Sequence, residues 1–487
     1  MRVFSTKSIK DTEARLFDSG VTHDTLIERA GFGLSQFLGN PRRVAIIIGS
    51  GNNGADGVST AFYLLDKGVK VDIFTVGEIR SEYTLFNLPR LITMGVVATP
   101  LSTSEDLSLY DVVVDCIFGI GLSRNIEGTY KEAILKINAE ARYVVSADIP
   151  SGICADTGKV MSVGVKSNMT VSFSGPKLGY YLSDGLDYVG DVLYADTGIL
   201  PTEYEAELLT RVSFPKRRKN THKGDYGKIT IIGGSSKYVG APILAERSAK
   251  ASLRSGSGLV KLCVPYSMRE VYQNRVMVET LDFLPDVDGS IVFSKDKLDE
   301  LISWSDVVVV GMGLGVSSDI KKMVTYLIEN AKCVVLDADA INSIADDPDI
   351  LKKGIRVVIT PHLGEFSRLI KKDVKYIDPL ADAKAFACEY GITIHLKGAT
   401  SITVYESGDT YLTSSGTPAL AKGGSGDVLA GMVASFIGQD IANPVATASF
   451  IHGDAGRLAS LKFGEMGTLA CDIPDKIAES IRNHTKN

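Results

Sequence analysis

Short runs of β-branched and aliphatic residues recur along this chain, several of them ending in glycine, with apolar residues at helical spacing between them. In the first half "RRVAIIIGS" (42–50), "KVDIFTVG" (70–77), "DVVVDCIFG" (111–119) and "ARYVVSADIP" (141–150) read as buried strands with helix-period sequence between them. That alternation predicts βαβ units on a parallel sheet. The pattern breaks over 200–227, a polar segment with two prolines and the basic run "KRRK". It restarts with "GKITIIGGS" (227–235), "GLVKLCVP" (258–265), "DVVVVGMGLG" (306–315), "KCVVLDAD" (332–339) and "IRVVITPH" (355–362). "GITIHLKGAT" (391–400) and a hairpin over 401–415 follow. Two tandem α/β domains are predicted, 1–212 and 213–487, with the boundary near 212–220. The basic run at that boundary reads as a solvated linker.

Composition narrows the class. The chain of 487 residues is 45 % hydrophobic and 23 % charged, as in soluble globular proteins. A net charge of −6 gives no electrostatic reason to expect nucleic acid or a membrane as partner. The six cysteines are scattered, with no C-x-x-C pair, which argues against a zinc site or disulfide framework and fits a reducing cytoplasm. The amino terminus carries charges throughout and has no signal-peptide core.

Candidate chemistry gathers where strands end. "GSGNNGADG" (49–57) contains G-x-G-x-x-G, and Asp72, read as the end of the next strand at about the right distance for a ribose, offers a dinucleotide-binding reading. Against it, Asn52, Asn53 and Asp56 crowd polar side chains into a turn that should be bare. Asp115 and Asp148 stand at two further strand ends, the latter ahead of Ser151. With Asn53 these groups supply hard oxygen donors suited to K⁺ or Mg²⁺; each acid could instead cap a helix. Lys177, in "FSGPKLG", offers a cation for a substrate phosphate or carboxamide.

These segments, with "LIERAG" and "DCIFGIGLSRNIEG", resemble the NAD(P)HX epimerase family (the YjeF N-terminal family). The resemblance implies a Rossmann-like three-layer α/β/α domain that interconverts the C6 epimers of hydrated NADH or NADPH. It implies K⁺ held by Asn53, Asp115 and Ser151. It also implies a substrate site lined by Asn52, Asn53, Gly54, Ala55 and Asp56, by Gly119, Ile120, Gly121, Leu122, Ser123, Arg124 and Asn125, and by Tyr130 and Asp148. Ala55 stands where that family usually has glycine. Asp56 and Asp148 are the acid–base candidates.

In the second half "KGGSGDVLAGMVASF" (422–436) sets Asp427 between a glycine run and an apolar helix. Free N–H groups at such a helix start stabilise anionic oxygens, and an aspartate there can take a proton from an attacking hydroxyl. No G-x-x-x-x-G-K-[ST] is present, so the site is not a P-loop. Together with "HKGDYG", "GGSSKYVGAPILA", "GMGLG", "DADAIN", "TPHLGEF" and "KGAT", it resembles the ADP-dependent NAD(P)HX dehydratase family, a ribokinase-like α/β fold. The resemblance implies that Lys397, Gly398, Ala399, Thr400, Ser401 and Gly426 contact the nucleotide, with Mg²⁺. Ala241, Gly313, His362 and Asp427 would contact NAD(P)HX. Met312 and Leu363 stand where the family more often has proline.

The expected protein is a cytoplasmic, homo-oligomeric repair enzyme for hydrated nicotinamide cofactors. It epimerises NAD(P)HX and dehydrates the (6S) form with ADP, giving AMP and phosphate. A small-molecule kinase and a non-catalytic nucleotide-binding protein are the alternatives.

Overall fold

The computed structural model describes residues 1–236, 241–274, 276 and 278–485, with only the backbone described at 241–243. It divides into two compact units, Met1–Glu207 and Leu208–Asn487.

The first unit is built on a seven-stranded sheet in the order Val97–Pro100, Lys70–Thr75, Arg43–Ile48, Val112–Cys116, Val144–Ala147, Met169–Ser172, Asp191–Tyr194. Every neighbouring pair in it is parallel. Successive residues of a strand face opposite sides, and the central strand uses both. Val44, Ile46 and Ile48 pack with Ile27, Leu34, Val58 and Leu91 on one face. Ala45 and Ile47 pack with Val113, Ala133, Ile134 and Ile137 on the other. Helices therefore cover both faces, which is the predicted three-layer arrangement. The strand order reverses between Arg43–Ile48 and Val112–Cys116, and beyond such a reversal a crevice opens at the carboxyl ends of the strands.

In the second unit the order is Thr410–Thr413, Ser401–Val404, Thr393–Leu396, Val357–Ile359, Val334–Leu336, Val307–Val310, Lys228–Ile232, Leu259–Pro265, Thr280–Leu284. From Thr280–Leu284 to Thr393–Leu396 the pairs are parallel, and the predicted hairpin closes the series antiparallel. This is the expected α/β architecture, a parallel sheet closed by a hairpin. The helix Ser425–Gly438 is buried on every side from Val428 to Ile437. An all-round apolar helix belongs in a core, and here it runs through the main core of the unit.

Several strands lie beyond those expected. Val97–Pro100 is an edge strand with little burial, and Met169–Ser172 and Asp191–Tyr194 are four residues each. Thr280–Leu284 mixes an aspartate into its apolar run. Short or polar-interrupted segments carry too few alternations to stand out from loops.

Candidate functional site

In the first unit the chain leaves Arg43–Ile48 through Gly49 to Gly51 and enters the helix Asn52–Asp66. That turn is tight against its neighbours: a Cβ on Gly49 would lie 2.1 Å from the Ile117 carbonyl oxygen, and one on Gly54 would lie 2.3 Å from that of Gly49. Gly51 caps the helix without a side chain, so the first turn keeps its N–H groups for other partners. Ala55, by contrast, is fully buried and its methyl packs in the core.

A cavity of about 590 Å³ opens beside this turn. Asn52, Asn53, Asp56, Asp148 and the loop from Gly119 through Ile120, Gly121, Leu122 and Ser123 to Arg124 line it. Gly54, Ala55, Asn125 and Tyr130 do not line it; Tyr130 packs on Phe118 and beneath Gly77. Lys10, Glu13, Phe17 and His23, from the two helices Thr6–Asp18 and His23–Phe37, add a wall that the motifs did not indicate.

Asp148 is held firmly. Its φ of +65° is unusual for a non-glycine residue, and the Tyr180 hydroxyl donates to its carbonyl. Its Oδ1 lies 2.8 Å from Lys177 Nζ, a side chain only 1 % exposed. Lys177 also donates to Ser172 Oγ at 2.9 Å. The lysine is therefore a buried counter-charge to Asp148, which corrects its reading as a contact for substrate. Burial, then the charges of Asp148 and Glu13, push the Asp56 carboxyl well above the usual range. Burial and Asp148 likewise raise Glu13.

Asp115 lies deeper, fully buried in the strand Val112–Cys116. It accepts from Ser151 Oγ at 2.6 Å, Ser151 N–H at 2.8 Å, Ser146 Oγ at 2.8 Å and Ile117 N–H at 3.2 Å. Asn53 is buried with its Nδ2 unpartnered. Asp72 takes no part: it is third in its strand and pairs with Arg43 at 2.7 Å and the Tyr110 hydroxyl at 2.9 Å.

In the second unit the ends of Val334–Leu336, Val357–Ile359 and Thr393–Leu396 come together beside the start of the helix Ser425–Gly438. Gly424, at φ +95°, turns the chain into that helix without a side-chain cap. Asp427 sits in its first turn, 9 % exposed. Lys397, just past Thr393–Leu396, reaches Asp337 Oδ1 at 2.8 Å and lies 4.0 Å from Glu365 Oε2. Thr360 Oγ1 donates to the same Asp337 oxygen at 2.8 Å. A Cβ on Gly426 would stand 3.1 Å from Lys397 Nζ, so the lysine reaches the helix start itself. Burial opposes the charge on Lys397, but Asp337 and Glu365 outweigh it and hold its pKa above the usual value. Burial and then the Asp337 charge push Asp427 up to about 7.

His362 caps the helix Leu363–Ile370: its Nδ1 accepts from the N–H groups of Gly364 and Glu365, and Glu365 Oε2 accepts from the His362 N–H at 2.9 Å. The ring itself is 56 % exposed. Leu363 is the first residue of this helix, the position proline favours, so the departure from the family costs no hydrogen bond. Gly313, at φ +61°, follows Val307–Val310. Thr400 is buried with its hydroxyl unpartnered, and Ser401 Oγ meets Gly398 at 3.4 Å. Ala399 lies between them on the same turn. The side chain of Ala241, with Lys237, Tyr238 and Gly240, lies outside the described residues.

Two family profiles match the chain in tandem: the YjeF-related protein N-terminus over residues 23–179 and NAD(P)H-hydrate dehydratase over residues 229–479. The chain is 33 % identical over 490 residues to a bifunctional NAD(P)H-hydrate repair enzyme of Thermofilum pendens, covering 95 % of this chain and 93 % of that protein. The chain belongs to the bifunctional NAD(P)H-hydrate repair enzyme family. A family member from Dictyoglomus turgidum is likewise 33 % identical, with 99 % of each chain covered. Among solved structures, a ribokinase-like superfamily protein from Enterococcus faecalis covers 57 % of this chain at 22 % identity and TM-score 0.49. The first-unit profile begins at residue 23, so Glu13 enters the cavity from outside the matched segment.

Among the functional candidates the motifs missed, Glu13 had no signal: it sits in an ordinary charged helix. Asp337 did have one, since "VVLDAD" places an acid at a strand end just as "VVVDC" does.

Proposed function

We propose that the first unit equilibrates the two C6 epimers of NAD(P)HX and that the second dehydrates the (6S) epimer at the expense of ADP. The observation that carries the second step is Asp427, a buried carboxyl at an uncapped helix start beside the Lys397–Asp337 pair. Asp427 takes the proton of the C6 hydroxyl, whose oxygen attacks the β-phosphorus of ADP and releases AMP. The N–H groups of the helix start and the Lys397 ammonium meet the charge on the phosphoryl oxygens. The ring nitrogen lone pair then breaks the C6–O bond, phosphate leaves, and loss of the C5 proton closes the C5=C6 double bond. Hydroxide is a poor leaving group and phosphate a good one, which is why a nucleotide is consumed.

Among the described residues no group of three His, Cys, Asp or Glu gathers to hold a metal. Mg²⁺ suits this site as an ion that arrives with the nucleotide, bound largely by phosphate oxygens, and it supplies charge neutralisation there. In the first unit Asp115 is a fully buried carboxylate whose hydrogen-bond donors Ser151, Ser146 and Ile117 are all neutral, so a monovalent cation beside it, with Asn53 and Ser151, fits the charge. K⁺ there would fix the loops bearing Asn53 and Ser151. All six cysteines are free thiols, in keeping with a cytoplasmic setting.

For epimerisation, water leaves C6 and returns on the other face. Asp56, pushed well above the usual carboxyl range, carries the proton that the leaving hydroxyl needs, and Asp148, in its ion pair with Lys177, takes one from the returning water. Glu13 tunes this pair. Its negative charge raises Asp56, so Glu13→Gln is expected to move the alkaline limb of the epimerisation profile to lower pH, with the optimal rate kept within about tenfold. An unmoved limb in a rate–pH series would reduce Glu13 to a wall residue.

The whole reading is tested by mixing the protein with NADHX and ADP. One AMP and one phosphate should appear per NADH restored, with no phosphorylated nicotinamide persisting.

A further inference from the structure

A second cavity, of about 720 Å³, lies in the second unit at the far end of the helix that begins beside Asp427. Phe436 and Gln439, at the end of that helix, line it. At 1.5 Å per residue they stand roughly 13–18 Å along the axis from Asp427. Tyr226 and Gly256, which precede the strands Lys228–Ile232 and Leu259–Pro265, line it too. The cavity thus sits at the amino ends of the strands, away from the carboxyl ends that carry Lys397 and Asp337, and no step of the proposed reaction uses it.

Its charge is inverted relative to the chain. Lys216, Arg217, Arg218, Arg254 and Arg482 line it against one carboxylate, Asp225, in a protein of net charge −6. Two of these cations are accounted for by their neighbours. Arg217 lies 3.8 Å over the Tyr226 ring and donates to Gln439 Oε1 at 2.9 Å and to the Gly256 carbonyl. Arg254 sits 3.4 Å from Asp475. Asp225 is also engaged, accepting from the His222 N–H at 2.9 Å. Lys216, Arg218 and Arg482 are exposed and stand in no close ion pair among the described residues, although Arg482 feels the Glu479 carboxylate on its own helix. Between them the floor is apolar: the Phe214 and Phe436 rings are 5.3 Å apart, with Ile441 and Ile481 beside them.

We propose that this cavity is a second nucleotide site, taking a nucleoside di- or triphosphate with its base on the apolar floor and its phosphates on Lys216, Arg218 and Arg482. Three exposed cations outside any close ion pair, around one opening, match a polyphosphate better than a single phosphate, and an apolar floor suits the base. The pinned Arg217 guanidinium adds a rigid, planar cation at the edge. The volume is of the size that drug-sized ligands fill.

Calorimetric titration of the full-length protein with ATP is expected to resolve two classes of site. The variant Lys216→Ala/Arg218→Ala/Arg482→Ala should weaken one class by about tenfold or more. It should keep the wild-type dehydration rate at saturating ADP, which shows that it folds. A single class in both proteins overturns the proposal. So does inorganic tripolyphosphate binding this cavity as tightly as ATP, because the apolar floor would then contribute nothing.

Discussion

Asp427→Asn is expected to lower kcat for ADP-dependent dehydration by about 10²- to 10⁴-fold, the usual contribution of a general base. Asparagine keeps the volume and the hydrogen-bonding reach but cannot accept the hydroxyl proton. Substrate and nucleotide contacts survive, so KM should change little. The wild-type pH profile follows from the same group. Burial and Asp337 push Asp427 up to about 7, and the base form is the ionised one, so the rate should fall as pH drops through about 7. The variant should lose that limb. Stability discriminates this role from a structural one. A carboxyl with a raised pKa is disfavoured as an anion in the folded state, so above pH 7 its charge weakens the fold. Asp427→Asn should therefore melt at the same temperature as wild type or higher while losing activity. A variant that lost both together would point to a helix-start acid that merely caps.

Asp148→Asn should abolish enzymatic epimerisation and also destabilise the first unit, because it strands Lys177. That ammonium is 1 % exposed, and removing Asp148, its ion-pair partner at 2.8 Å, leaves a buried charge with only the more distant Glu13 to offset it. Such losses cost about 3–5 kcal/mol. The two effects can be separated. In Asp148→Asn/Lys177→Met the buried charge is gone with its partner, so stability should largely return, measured by urea unfolding. Epimerisation should not return. With mixed epimers and ADP, either variant should stop once the usable epimer is consumed, apart from spontaneous epimerisation. Recovery of epimerisation in the double variant would show that Asp148 acts only through the ion pair.

The layered architecture was legible because long apolar runs such as "RVAIII" and "VVVV" are buried on both faces, and only a covered parallel sheet accepts such runs. The two helix-start turns were legible because close backbone approach forces glycine, as at Gly49 and Gly54. What sequence could not supply was which groups meet across elements. Lys177 looks like a surface lysine until the sheet brings it under Asp148. Asp337 gains its meaning only from Lys397, two strands away in the sheet. Asp72 sits at a suggestive distance from the glycine turn, yet Arg43 and Tyr110 engage it. Glu13 comes from a helix whose charge pattern is that of any solvated surface, and nothing local distinguishes it from Asp11 or Glu28, both exposed.

The most direct test of the repair reaction is a progress curve. Full-length protein is given NADHX as a mixture of its two epimers, with ADP and Mg²⁺, and the absorbance of reduced nicotinamide is followed to its end point. Complete recovery of NADH, with one AMP formed per molecule restored, is the predicted result. No recovery from either epimer, or a phosphorylated nicotinamide that accumulates and persists, would contradict it.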